Sequence, residues 1–255
     1  MGGFMNRRVS AIAGLLVSIG TAWLFAASVA LASDAWVGSG GRIPAWTNSR
    51  TVRVSYHARY DLSADGGTHT SDNPAWIGHL DYALGTSSTF SPSWIDGANQ
   101  TAEFGNPIAT IQGTDTVTVS KGNGKKTVYV LYHAQLVNFK AAQPVSPLYQ
   151  ARTTLDTHGP TTKAPEPARG ARGTYITLRF RVDDNLSPKA RVTIVIRKGT
   201  TVVRTLKPVL RATGKLVSRR FLCKLAKGKY TFRVKAKDLA GNAQTKIGAN
   251  TLIVY

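Results

Sequence analysis

Alternation of apolar and polar residues is clearest in the last hundred residues of the chain. Ile176, Leu178 and Phe180 are separated by polar residues, and segments 192–196 and 230–236 repeat the pattern. A period of two is typical of strands with one buried face. The predicted turns have the sequences KGT and DLAGN, and a last apolar segment ends the chain. About six or seven short strands with no helical stretch predict a β-sandwich.

The first half of the chain shows the same alternation with longer interruptions. Val52 and Val54 are flanked by polar residues. Segment 121–125 (KGNGK) predicts a β-hairpin, because glycine and asparagine tolerate the positive φ of tight turns. Segments 63–74 and 85–107 have no such period, and we expect irregular loop insertions there.

A change of composition near residue 155 predicts a domain boundary. Segment 156–172 is rich in proline, threonine and glycine, and we expect a semi-extended linker without a ladder of backbone hydrogen bonds. The sequence LVN at 136–138 echoes LAGN at 239–242, about one domain further along the chain. A degenerate tandem repeat is therefore expected.

The net charge of +20 is concentrated after the same boundary. Residues 156–255 carry 22 basic and five acidic groups, whereas residues 33–155 carry nine basic and eight acidic groups. The lone Cys223 excludes an internal disulfide, and its strand context predicts a buried small side chain.

The first 32 residues predict export. Arg7 and Arg8 precede a long apolar run, and small residues at Ala30 and Ala32 fit cleavage by a signal peptidase. The run is long enough to span a bilayer, so an uncleaved membrane anchor is the alternative. An extracellular or cell-surface location is expected in either case.

Several segments resemble bacterial extracellular Ig-like domains, which are found notably in actinobacteria, and distantly the flagellar-hook capping Ig-like domain. In the C-terminal half these segments are 184–190 (DNLSPKA), 192–196, 203–206 (VRTL) and 230–242, which ends in DLAGN. In the N-terminal half they are 46–49 (WTNS), Tyr82 and 94–97 (WIDG), together with the hairpin-like segment 121–125. The resemblance implies spacer or adhesive modules and offers no catalytic residues.

Together these observations predict an all-β protein with two immunoglobulin-like β-sandwich domains in tandem after an N-terminal signal peptide. The predicted boundaries are 1–32 for the signal peptide, 33–155 for the N-terminal sandwich, 156–172 for the linker and 173–255 for the basic C-terminal sandwich.

Catalytic and metal-binding patterns are missing from the sequence. It contains no GxSxG, HExxH, CxxC, Walker or dinucleotide-binding motif, so we expect no enzyme activity, no cofactor and no metal. The loop containing Asp61, Asp65, His69 and Asp72 is the best calcium candidate, but its spacing is not that of an EF-hand. A solvated acidic loop is the simpler interpretation.

Tryptophans offer one candidate binding surface. Trp76 and Trp94 lie in the N-terminal half, where exposed rings could stack on sugars. A two-sheet core needs large apolar anchors as well, so a core role is the competing interpretation. A carbohydrate-binding module is therefore the alternative function.

Basic residues at alternating strand positions offer the other candidate surface. They are predicted to point away from the core, and they are Arg179, Arg181, Arg191, Arg197, Arg233, Lys235 and Lys237. Exposed cations attract polyanions such as anionic cell-surface polymers or polysaccharides, with no specific recognition of nucleic acid implied. The competing interpretation is a solvated face that discourages strand aggregation. Alternation alone does not reveal whether these residues share one sheet.

Overall fold

The structure is a computed structural model, and it describes residues 36–62, 76–102, 108–137 and 145–255. These residues form seventeen β-strands and no α-helix. The all-β fold class predicted from the alternation is therefore confirmed. Within these ranges no helix is long and apolar enough to cross a membrane. The predicted signal peptide and the segment 63–74 lie outside the described residues.

Strands of the N-terminal unit precede residue 156. They are β1 (Trp36–Arg42), β2 (Trp46–Thr47), β3 (Thr51–Asp61), β4 (Trp76–Gly85), β5 (Ile95–Ala102), β6 (Ile108–Thr118), β7 (Gly124–Val137) and β8 (Tyr149–Leu155). One sheet has the order β1-β3-β6 and the other β2-β8-β7-β4-β5. The sheets enclose one core, in which Tyr60, Ile111 and Tyr132 are completely buried.

Strands of the C-terminal unit follow residue 160. They are β9 (Thr161–Lys163), β10 (Ala168–Gly170), β11 (Tyr175–Asp183), β12 (Lys189–Lys198), β13 (Thr201–Thr205), β14 (Val209–Ala212), β15 (Leu216–Leu222), β16 (Gly228–Lys237) and β17 (Gly248–Val254). One sheet has the order β15-β11-β9 and the other β10-β17-β16-β12-β13, with β14 also paired to β12. A second, separate core lies between them around Phe180 and Phe232.

The two units repeat one strand topology. The three-stranded sheets correspond as β1-β3-β6 and β9-β11-β15. In the larger sheets, a short strand pairs in parallel with the last strand of its unit, β2 with β8 and β10 with β17. All the other strand pairs are antiparallel.

Alternating burial builds the C-terminal core. In β11 every second residue from Ile176 to Val182 is buried, and β16 repeats this from Tyr230 to Ala236. Each large apolar side chain removed from water stabilises the fold by about 1.5–3 kcal/mol. Cys223 is completely buried and belongs to this core.

Three local predictions differ from the structure. Segment 121–125 does not close a hairpin, because β6 pairs with β3 and β7 pairs with β4 in the opposite sheet. The predicted irregular segment 85–107 contains β5, which pairs with β4. The predicted linker 156–172 contains β9 and β10, which join different sheets of the C-terminal unit. Its prolines flank these three-residue strands, so they remove no hydrogen bond from them.

Candidate functional sites

Three aspartates meet where the two units join, and we call them the aspartate cluster. Asp156 directly follows β8, Asp184 directly follows β11, and Asp238 directly follows β16. One carboxylate oxygen from each lies within 4.8 Å of the other two. Oxygen-only donor sets of this kind suit hard cations such as Ca²⁺.

Two of these carboxylates have one oxygen bonded and the other unpartnered. Asp156 is completely buried, and its Oδ1 accepts hydrogen bonds from the His158 backbone N–H (3.1 Å) and the Asn123 side-chain amide (3.3 Å). Its Oδ2 is buried and has no hydrogen-bond partner in the part of the chain that the structure describes. In Asp184 the Oδ1 accepts from the backbone N–H groups of Leu186 (3.0 Å) and Ser187 (2.6 Å), and its buried Oδ2 likewise has no partner among the residues described. Buried acceptors left in this state are destabilising.

Asn242 holds the carboxylate of Asp238 in place and connects it to Asp156, at the end of the N-terminal unit. Its backbone N–H donates to Asp238 Oδ1 at 2.8 Å and its Nδ2 donates to Asp238 Oδ2 at 2.7 Å. The same Nδ2 also donates to the Asp156 carbonyl at 2.7 Å. One asparagine in the C-terminal unit therefore contacts the residue that ends the N-terminal unit.

Within the described residues, no carboxylate of the cluster forms an ion pair with a lysine or an arginine. The C-terminal hundred residues hold only two further acidic side chains, and both form ion pairs. Asp183 lies 2.6 Å from Arg181 and Glu166 lies 3.4 Å from Arg179. Burial raises the pKa of Asp156; the His158 backbone N–H lowers it, the nearby carboxylates of Asp184 and Asp238 raise it further, and the His158 side chain lowers it. This is the environment expected where negative charges are crowded together.

Sequence reasoning missed this cluster. The sequence predicts a turn at DLAGN and includes this motif in the resemblance to Ig-like domains, and it predicts Asp156 only as part of a linker. Of the loop proposed instead, Asp65, His69 and Asp72 lie outside the described residues, and Asp61 forms an ion pair with Arg59 at 3.1 Å. An aspartate directly after each of three strands was the available signal, but it identifies a site only when the strand ends are known to meet.

The seven basic residues proposed from alternation are divided between two sheets. Five of them share the outer face of β12 and β16, which we call the β12–β16 face; these are Arg191, Arg197, Arg233, Lys235 and Lys237. Arg191 stands directly opposite Lys237 in the register of the two strands. Like charges in that position repel each other. Among the described residues, none of the five forms an ion pair with a carboxylate.

A groove crosses this face. It has a volume of about 680 Å³, and Arg191, Lys235 and Lys237 line it. Its apolar lining includes Val202 and Ile247, which are 48% and 47% exposed. The groove therefore combines positive charge with exposed apolar surface.

Arg179 and Arg181 lie elsewhere, on the outer face of β11 in the other sheet. Their guanidinium groups are occupied by Glu166 and Asp183. Arg220 lies beside them, over the ring of Tyr175 at 5.2 Å. This second basic face is accordingly partly neutralised.

Trp94 packs against a histidine. Its ring stacks on His133 with 4.8 Å between centroids, so one of its faces is covered. A small pocket of about 220 Å³ beside it is lined by His79, Asp81 and Gln135 as well. Asp81 accepts a hydrogen bond from Gln135 at 2.7 Å. The side chain of Trp76 lies outside the described part of the chain.

Comparison with known proteins identifies no family. No family model and no curated protein matches the chain. A solved structure, a tetra-tandem repeat in the extending region of a large adhesion protein, aligns with 86% of this chain at 19% identity and a TM-score of 0.27. The chain spans 50% of that structure's length. A TM-score this low carries no conclusion about shared function.

Proposed function

We propose that the protein is a non-catalytic, exported surface protein of two immunoglobulin-like sandwiches that adheres to anionic polymers through its C-terminal unit. The repeated topology supports the tandem architecture, since each unit places a three-stranded sheet against a larger sheet whose strands are mostly antiparallel. The proposed ligand is an acidic polysaccharide or a phosphate-containing wall polymer. The proposed binding involves no cofactor and no specific recognition of nucleic acid.

The single observation that carries this proposal is the groove on the β12–β16 face. Three cations line it without an acidic partner among the described residues, and two of them, Arg191 and Lys237, repel each other across the strands. A bound anion between them would offset that repulsion. The Arg179 and Arg181 side chains, which have acidic partners, are left out of the proposed site.

A charge-matched pair of variants tests the groove. The first replaces Arg191, Lys235 and Lys237 by glutamine, and the second replaces Arg179, Arg181 and Arg220 by glutamine. Both remove three positive charges, so a response to net charge alone would be the same in both. Binding of the full chain to immobilised heparin is measured across a range of salt concentrations.

We expect the groove variant to weaken binding about tenfold or more and to lower the slope of log K against log salt by about 2–3, because three fewer counterions are released. The control variant should retain most of the binding and most of the slope. Equal losses in the two variants, or binding that persists in molar salt, would refute the groove as the site.

Carbohydrate binding through Trp94 is the second candidate. The pocket beside Trp94 presents a carboxylate and an amide next to an aromatic ring, a combination that suits sugar hydroxyls. Pull-down with neutral polysaccharides distinguishes the two candidates. Binding that is lost in Trp94→Ala and unaffected by the groove substitutions would favour the carbohydrate site over the basic groove.

A further inference from the structure

We propose that the aspartate cluster is a calcium site at the junction of the two units, with Asp156, Asp184 and Asp238 as protein ligands. This inference goes beyond the proposed polyanion binding and does not depend on it. The starting point is an imbalance of charge. In a segment with 22 basic and five acidic residues, three of the acidic ones converge, and none of those three forms an ion pair with a lysine or an arginine in the described ranges.

The unpartnered oxygens are the second, independent observation. Asp156 is 0% exposed, and none of the described residues donates a hydrogen bond to its Oδ2. The Oδ2 of Asp184 is also buried and receives no hydrogen bond from the described residues. A buried carboxylate oxygen without a donor is costly unless another positive group approaches it. Hydrogen bonds hold the Oδ1 atom of each of these residues and leave the other oxygen available to a ligand.

The spacing of the oxygens suits one calcium ion. Calcium binds oxygens at about 2.3–2.6 Å, so two oxygens on the same ion are separated by at most about 5 Å. The observed limit of 4.8 Å is within that range. Three carboxylates supply the charge of a calcium site, and water or backbone carbonyls commonly complete its coordination.

An ion in this position would join the two units. Asp156 belongs to the chain leaving β8, whereas the other two ligands directly follow strands of the C-terminal unit. The hydrogen bond from Asn242 to the Asp156 carbonyl already connects these parts. Calcium would therefore stabilise the junction, and its removal would leave three mutually repelling carboxylates there.

Thermal unfolding and calorimetric titration of the full chain, stripped of metal with EDTA, test the proposal with CaCl₂ as the only added ligand. We expect a dissociation constant on the order of 10⁻⁴–10⁻³ M, the range of extracellular calcium modules. At ten times that concentration the folded state should be favoured about elevenfold more than without calcium. The transition of the C-terminal unit should rise accordingly, and magnesium at equal concentration should raise it less.

Asp184→Asn and Asp183→Asn form a matched pair. In Asp184→Asn the amide oxygen can still cap Leu186 and Ser187, but the ligand charge is removed. We expect at least tenfold weaker calcium binding, together with a metal-free stability equal to or above that of the parent chain because a repulsion is relieved. The neighbouring Asp183→Asn should keep the full calcium response.

Three results would overturn the proposal: no heat and no thermal shift with calcium in the parent chain, an undiminished response in Asp184→Asn, or an equal or larger response to magnesium. If Asp184→Asn does not fold, Asp238→Asn is measured in the same way and must lose the response. Heparin is absent from these titrations, so their failure and the failure of the proposed function can be told apart.

Discussion

Replacing Thr162 by valine isolates one hydroxyl group that joins the two sheets of the C-terminal unit. Thr162 lies in β9 and is 1% exposed. Its Oγ1 donates to the carbonyl oxygen of Val234 (2.8 Å), with that of Lys246 nearby (3.1 Å), and accepts from the backbone N–H of Gly248 (2.7 Å). Valine has nearly the same shape but offers neither a donor nor an acceptor.

The expected loss follows from the groups that valine leaves behind. The Gly248 N–H loses this acceptor and the Val234 carbonyl loses this donor in a buried position. A buried donor or acceptor left without its partner lowers the free energy of unfolding by about 1–3 kcal/mol. The substitution should therefore destabilise the C-terminal unit by about 3 kcal/mol. For a unit of this size, the unfolding midpoint should fall by about 12–24 °C.

The tryptophans provide an internal control for the measurement. None lies after residue 94, so tryptophan emission follows the N-terminal unit and far-UV circular dichroism follows both. In Thr162→Val we expect the dichroism transition of the C-terminal unit to move and the emission transition to stay within a few degrees. Thr177→Val, on the exposed face of β11, should change little. If Thr162→Val lowers the stability of the C-terminal unit no more than Thr177→Val does, the reasoning is refuted.

Three further predictions concern the junction and the C-terminal core. Gly159→Ala should destabilise the junction by about 1–3 kcal/mol in urea unfolding, because the added Cβ would overlap the carbonyl oxygen of Ala243; an unchanged midpoint would contradict this close approach. Phe180→Ala should cost about 3–5 kcal/mol, since the ring is completely buried, whereas the exposed neighbour Arg181→Ala should stay within about 1 kcal/mol. Cys223 should react with a thiol reagent only as fast as the C-terminal unit opens, and rapid labelling in native conditions would show that it is accessible.

Local alternation allowed the inward and outward residues of β11 and β16 to be predicted, because side-chain direction alternates within a single strand. Pairing between strands is not local, and the predicted hairpin at 121–125 is wrong for that reason. Its glycines do adopt positive φ, at Gly122 and Gly124, but the turn leads from one sheet to the other. Likewise, the prolines of segment 156–172 exclude strand hydrogen bonds only at their own positions, and short strands form between these prolines.

The aspartate cluster shows why a local interpretation of each residue was incomplete. Asp184 and Asp238 do accept hydrogen bonds from the backbone a few residues further on, as turn aspartates do. That role accounts for one oxygen of each side chain. The other oxygen of Asp184 points to a role that depends on Asp156, which a different unit of the fold supplies. Only the arrangement of the strand ends brings these residues together.

Strand β16 connects the two proposed sites. Lys235 and Lys237, on the outer face of β16, line the groove. The next residue, Asp238, belongs to the aspartate cluster. The chain after Asn242 then returns to the groove, which Ala243, Gln244 and Ile247 also line. The turn between Asp238 and Asn242 is therefore held by the cluster at its start and borders the groove at its end. If both proposals hold, a calcium ion would order this turn and add positive charge beside a face that already attracts anions. The acidic cluster within so basic a unit would then support adhesion to an anionic polymer rather than oppose it.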